Sequence, residues 1–394
     1  MGGAYRLAVV LMVAATVVLD GLDNQMLGLA APALIREWGL ARATLGTIFA
    51  LGFVGMMAGT LLAGQIGDRL GRRAALLLGV AVFGVATLAT GFATSVWELA
   101  ALKTLAGVGL GGVPGTAAAM IAEFTTPRWR SLAVTFGVVC VSIGGIIGGL
   151  AAAAILPALG WRWLFWGSGA LPLVIAAVLV MLLPESPGFL ARDRAPLPAL
   201  NRLFAGDLAR STLGLSLAML SGMFLIYLMF NWAPSMLAGQ GFDLRDTSLG
   251  LTWFNTGGTI GAILAALAIM GAGSRRTLAT MAGSGALVCM ALATMSTTRL
   301  TMMIGLGALG LTASAAQSAM FALGAHAFPL ALRARGMGVM GAAGRAGALG
   351  SAFAGSWLVA GRAGYFAVLA VLMIVNLIGF LIVRGHIPRL KDMR

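Results

Sequence analysis

The amino-acid sequence predicts an all-α polytopic membrane protein, with twelve transmembrane helices in two six-helix halves around a central cavity. Three observations carry this. Hydrophobic residues make up 60% and charged residues 10% of 394 positions, more apolar surface than one water-soluble core buries. Apolar runs of about 18 to 25 residues, enough to cross about 30 Å of hydrocarbon as helix, recur with short polar joints between them. The alternation expected of barrel strands is missing, and a helix satisfies its own backbone in lipid.

In order, the expected spans are 8–35, 43–66, 74–94, 98–123, 131–158, 163–183, 210–236, 247–272, 277–297, 300–324, 337–360 and 363–383. The first is too long for a signal peptide and is interrupted by Asp20 and Asp23, so it is expected to stay as a spanning helix. The second ends in the charged joint from Gly67 to Arg73. The fourth carries Lys103 and a glycine run from Gly107 to Gly115, and the fifth a second run from Gly144 to Gly149. Fifty-seven glycines would weaken a soluble bundle, yet in membranes small residues let helices approach closely, so these runs read as packing seams. Cys140 and Cys289 fall inside the fifth and ninth helices, where no disulfide or zinc spacing supports them, and read as packing residues. Arg345 stands alone within the eleventh.

A net charge of +14 does not point to nucleic acid, because the basic residues are scattered through short joints. With the N-terminus in the cytoplasm, eighteen of the 26 Lys and Arg fall on that side and six on the other, leaving Lys103 and Arg345 within helices. The positive-inside rule therefore predicts an integral plasma (inner) membrane protein with both termini cytoplasmic, which also requires an even helix count.

The longest joint, rich in Pro184, Pro187, Pro196 and Pro198, divides an N-terminal half (1–183) from a C-terminal half with a cytoplasmic tail (210–394) through a cytoplasmic linker (184–209). A weak repeat agrees. The joint Gly67 to Arg73 is echoed by Gly271 to Arg276, and Glu123 to Arg130 by His326 to Arg335, both at an offset near 205. Repeated halves are the design that rocks between inward-open and outward-open states.

The run Gly64-Gln65-Ile66-Gly67-Asp68-Arg69-Leu70-Gly71-Arg72-Arg73 resembles the signature between the second and third helices of the major facilitator superfamily. Asp68, Arg69, Arg72 and Arg73 at helix ends are suited to conformational gating, joined by Glu123 through Arg72 or Arg130.

A charged side chain at a helix centre costs about 2.5 to 3.5 kcal/mol, so Asp20, Asp23, Lys103 and Arg345 are candidate functional residues. Asp20 and Asp23 are three apart, hence on one helical face, and Gly21 between them permits close approach. Two acids and two bases sum to neutrality, so protonating one aspartate leaves a cation that an organic anion balances. The bland reading of the same four residues is a set of buried ion pairs holding helices together.

Asp20 to Gly28, followed by Ala31-Pro32-Ala33-Leu34, resembles the first helix of the aromatic acid:proton symporter family. Further likeness lies in Gly107 to Gly112, Gly160-Trp161-Arg162, Pro184-Glu185-Ser186-Pro187, Asn231-Trp232-Ala233-Pro234, and Arg335-Gly336 through Gly344-Arg345-Ala346-Gly347. The resemblance implies import of benzoate-like acids with protons, with Asp20 and Asp23 in the coupling role. Lys103 stands where that family usually places arginine, and Gly115 where asparagine is common; a lysine lacks arginine's planar fork.

For an aromatic ring, Tyr227, Asn231, Asn255 and Gln317 are the expected cavity residues beside Lys103 and Arg345, with Trp232 and Trp253 expected at lipid or the interface. Competing classes are a proton-driven exporter of drugs or other small molecules, and a non-transporting membrane sensor. An enzyme is not expected, since His326 and His386 lack a partner at catalytic or metal spacing. No cofactor is expected; the expected partners are a small organic anion, the proton and lipid, with the chain a monomer.

Overall fold

Where no water reaches the backbone, its N–H and C=O groups must bond within the segment, and the apolar runs do so as helix. The computed structural model describes residues 3–125, 130–191, 200–295, 298–329, 332–383 and 385–387, and no strand occurs among them. The helices are α1 Gly3–Trp38, α2 Arg42–Leu70, α3 Arg72–Thr90, α4 Val96–Phe124, α5 Arg130–Leu159, α6 Trp161–Leu182, the short α7 Pro187–Ala191, α8 Gly206–Gly239, α9 Leu244–Ala272, α10 Ser274–Thr294, α11 Arg299–Ala327, α12 Arg333–Leu358 and α13 Arg362–Ile382.

Twelve of these are long enough to span, as the sequence predicts, and several run past the apolar stretch into the joints. Eleven are also apolar enough by composition; α12, rich in glycine and carrying Arg345, is the twelfth. The segment expected as a linker is partly structured, holding α7 and a 3-10 turn at Leu200–Phe204, while residues 192–199 lie outside the described residues.

Contacts divide the chain into two compact units, Met1–Arg194 with Phe242–Thr252, and Ala195–Gly241 with Trp253–Arg394. In the first, α4 packs on α2 and α3, α1 on α5, α4 and α6, and α3 on α6. The α2–α4 contact is made by backbone: side chains at Gly55 or Gly59 would strike Thr104 and Val108, and those at Gly107 or Gly111 would strike Gly52 and Met56. Thr60 adds a hydrogen bond across the seam to the Gly111 carbonyl at 2.7 Å. Likewise, Gly21 of α1 lies on the Val141 backbone of α5, and Gly144 of α5 on that of Val18. Both glycine runs read from the sequence are therefore seams, apart from Gly115, which has open space around it.

In the second unit α8 packs on α12 and α13, and α10 on α11 and α13. Gly257 and Gly261 of α9 lie against the Gly307 and Leu311 backbone of α11, and Gly310 of α11 against Phe254. Gly344 and Gly347 of α12 face Met223 and Leu220 of α8, the close approach that lets a helix of modest hydropathy pack tightly.

Candidate functional site

The α1–α5 crossing at Gly21 sets how α1 is turned, and its two aspartates are buried: Asp20 is 3% and Asp23 1% exposed. Lys103 of α4 reaches Asp23, with Nζ 3.3 Å from Oδ2 and 3.5 Å from the Asp23 carbonyl. Gly52 of α2 makes room for the lysine stem, since a Cβ there would stand 3.3 Å from its Cγ. The other oxygen of Asp23 accepts a hydrogen bond from Thr87 Oγ1 of α3 at 2.5 Å. One carboxylate is thus held from two neighbouring helices. Asp20 is held differently, and its bonds include one from Asn24 Nδ2, 3.2 Å to Oδ1 and 3.0 Å to the carbonyl oxygen. The structure therefore joins Asp23 to Lys103, with Asp20 one turn earlier on the same helix. Thr87 was not foreseen, because a threonine in an apolar helix carries no signal of where its hydroxyl points.

The second unit holds the remaining candidates. Asn231, Asn255 and Gln317 are buried, Tyr227 and Arg345 half-buried. Arg345 belongs to none of the ion pairs Arg72–Glu123, Lys103–Asp23 and Arg162–Glu37. The sequence explains this locally, for no Asp or Glu lies between Asp246 and Asp392. Gln317 places Nε2 2.8 Å from Met219 Sδ, a weak acceptor, while its Oε1 and Asn231 Nδ2 have no hydrogen-bond partner among the described residues. Each such buried atom costs about 1 to 3 kcal/mol unless something polar meets it.

Asn376 of α13 was not foreseen. Its Nδ2 donates to the Ala218 carbonyl at 2.7 Å, and it shares with Gln317 the space that Gly222 of α8 leaves: a Cβ at Gly222 would stand 2.5 Å from Gln317 Oε1 and 3.1 Å from Asn376 Nδ2. A lone asparagine in the most apolar helix was the available signal. Tyr227 meets Phe230 edge-on at 5.8 Å, and Phe230 meets Phe254 at 6.1 Å, giving an aromatic row beside the amides. Trp232, expected at lipid or the interface, is instead fully buried, because Gly355 of α12 leaves a slot for its ring. Trp253, 45% exposed, keeps the outward place expected of it.

The joint between α2 and α3 is locked from three sides. Gly71 adopts φ +100°, a conformation glycine alone takes easily, and a side chain there would collide with the Glu185 carboxylate. Glu185 Oε1 accepts from the Arg73 backbone N–H at 3.1 Å, and Arg72 forms an ion pair with Glu123 of α4. Glu123 also accepts from the Ser186 hydroxyl and, at 3.0 Å, from the Gly188 N–H at the start of α7. Of the expected gating residues, Arg72, Arg73 and Glu123 share this cluster. Asp68 and Arg69 are exposed on the last turn of α2, and the Arg130 side chain lies outside the described residues. Glu185 and Ser186, read from the sequence as linker, belong to the cluster because α6 ends beside the start of α3.

At the far end of α1, Glu37 accepts from Trp161 Nε1 at 2.8 Å and pairs with Arg162 at 2.6 Å, while Trp38 meets Trp161 edge-on at 5.4 Å. This ties α1 to α6 at the opposite end from Gly71 and fixes the helix that carries both aspartates.

Comparison with known proteins agrees with this architecture. A crystal structure of a D-xylose–proton symporter superposes with a TM-score of 0.79, covering 98% of this chain and 99% of that one at 17% sequence identity, which speaks to the fold. Among relatives, the gallate transporter of Pseudomonas putida is 31% identical, over 91% of this chain and 87% of its own length. The 4-hydroxybenzoate transporter PcaK of Pseudomonas aeruginosa is 32% identical (90% and 86%), and the 3-(3-hydroxy-phenyl)propionate transporter of Escherichia coli 33% (87% and 85%). The Major Facilitator Superfamily model matches residues 13–300. With that match spanning most of the sequence and relatives aligned along nearly all of it, the chain belongs to the Major Facilitator Superfamily.

Proposed function

We propose that the chain imports small aromatic carboxylates together with protons, by alternating access of its two six-helix halves, 1–183 and 210–394, joined by 184–209. The observation that carries this reading is the distribution of buried charge: Asp20, Asp23 and Lys103 in the first unit, and in the second Arg345 with no acid in its own stretch of sequence. Together the four sum to neutrality. Protonating one aspartate leaves a cation that a carboxylate balances, so proton and monoanion favour each other's binding. The three relatives, transporters of gallate, 4-hydroxybenzoate and 3-(3-hydroxy-phenyl)propionate, support the substrate class.

In this reading Asp20 and Asp23 couple the proton, and Lys103 and Arg345 take the carboxylate. Tyr227, Asn231, Asn255 and Gln317 hold the ring and its hydroxyls, the buried amide atoms supplying donor and acceptor. Asp68, Arg69, Arg72, Arg73, Glu123 and Arg130 gate the cytoplasmic ends. Both termini face the cytoplasm, the membrane is the inner membrane, and the chain works as a monomer without an enzymatic step.

Purified protein in vesicles under an inward proton gradient is expected to accumulate labelled 4-hydroxybenzoate and to stop when a protonophore collapses the gradient. Asp23→Asn is expected to lose the gradient-driven part. Accumulation indifferent to the gradient would remove proton coupling, and uptake of 4-hydroxybenzamide as fast as the acid would remove carboxylate recognition.

A further inference from the structure

Thr87 lies inside the first unit on α3, 2% exposed. Threonines in these helices mostly turn the hydroxyl back onto a carbonyl one turn earlier: Thr90 onto Ala86 at 2.8 Å, Thr104 onto Ala100 at 2.7 Å, Thr312 onto Ala308 at 3.1 Å. Thr87 instead reaches across to another helix and donates to Asp23 Oδ1, while Lys103 faces Oδ2. The threonine is neutral, so its contribution is directional. Oδ1 of Asp23 accepts the bond, which holds the carboxyl plane toward the lysine.

The charged groups around Asp23 are few. Asp20 lies one turn away on the same helix, and Lys103 comes from α4. The Arg72 and Arg73 of α3 stand at its start, and α2, α5 and α6 carry Asp, Glu, Lys and Arg only near their ends. Cys140 of α5 shares the buried cluster of Val17 and Leu19. A neutral donor in such company has more leverage than it would among many charges.

We propose that Thr87 is a positioning residue for the coupling acid: its hydroxyl holds Asp23 as a carboxylate against Lys103, and loss of that bond is the step that lets Asp23 take its proton. This rests on the reading of Asp20 and Asp23 as coupling acids. It follows that the pH range of transport is set in part at position 87, without any change of charge.

The test is exchange of labelled 4-hydroxybenzoate by the full chain in vesicles, at equal internal and external pH, across the range from acid to mildly alkaline. Thr87→Val keeps the shape and removes the donor, whereas Thr87→Ser keeps the donor. The valine variant is expected to move the exchange midpoint about one unit toward alkaline pH, the size of a hydrogen bond to a charged group, and the serine variant to overlay the native profile. A valine profile identical to the native one overturns the proposal, as does a serine variant displaced as far as valine, which would indicate packing alone. Should Thr87→Val fail to accumulate in the membrane, Thr87→Ala against Thr87→Ser makes the same comparison. Where exchange is too slow to read, the infrared band of the protonated Asp23 carboxyl, assigned by its loss in Asp23→Asn, reports the same shift. Failure of the underlying reading looks different: Asp23→Asn would then keep the native pH profile.

Discussion

In the first unit α2 and α4 meet along Gly55, Gly59, Gly107 and Gly111, and in the second α9 and α11 meet along Gly257, Gly261 and Gly310. The α3 N-terminus is held by Glu185 from beyond α6, and the α10 N-terminus by Ile387 from beyond α13, whose backbone exchanges bonds of 3.0 and 2.9 Å with Ser274. The packing plan is the same in both. What differs is the charge within it. The first unit buries an acid–lysine pair and locks its strap with carboxylates, while the second buries amides, makes its strap from neutral groups and leaves Arg345 without a described ion pair. Since the second unit packs on the same plan without them, the buried charges of the first are not demanded by the fold.

The strongest way to break this comparison is to remove one member of the buried pair. Lys103→Ala strands Asp23 and is expected to cost about 3 to 5 kcal/mol of stability, read as a fall in thermal unfolding midpoint. The double variant Asp23→Asn with Lys103→Ala should recover most of that loss and still not transport. A single variant as stable as the native protein would mean that the pair is not what distinguishes the first unit.

The shared seams give the next largest effect. Gly59→Val and Gly261→Val, each driving a side chain into facing backbone, are expected to destabilise by about 1 to 3 kcal/mol and by similar amounts. A large cost in one unit and none in the other would end their equivalence.

Arg345 sharpens the contrast. With no ion pair of Arg345 among the described residues, Arg345→Ala should leave thermal stability within about 0.5 kcal/mol and weaken 4-hydroxybenzoate binding at least about tenfold, equivalent to about 1.4 kcal/mol, measured by calorimetry. A loss of stability matching that of Lys103→Ala would make it a structural cation.

The smallest expected effect lies at the second strap. Burial, then the nearby Arg275 charge, hold the His386 imidazole below its ordinary 6.5. The folded state prefers the neutral ring, so the contribution of His386 is complete above pH 6.5 and is lost as pH falls through the lowered value. His386→Asn should flatten the acid side of the stability profile; an unchanged slope would place the titration elsewhere.

The spans, the buried acids and the Arg72–Glu123 pair were legible because each announces itself by residue type: a long apolar run, or a charge where lipid forbids one. The rest depends on how helices are rotated and on what stands opposite. Thr87 and Thr90 lie three residues apart in one apolar helix, and only the nearness of α1 makes one a carboxylate donor and the other a back-bonded hydroxyl. Trp232 reads as a lipid anchor until Gly355, on another helix, turns out to face it. Glu185 reads as linker because its partners, Gly71 and Arg73, lie more than a hundred positions earlier.

Helices that touch through bare backbone have no layer of side chains across which to slide. At Gly59 and Gly111 the α2 and α4 main chains meet directly, so the two behave mechanically as one plank, and a shear motion there would have to break many close contacts at once. Flexing is left to places where longer side chains separate the helices and can change rotamer. The stiffest lines of this protein are thus drawn by its smallest residue.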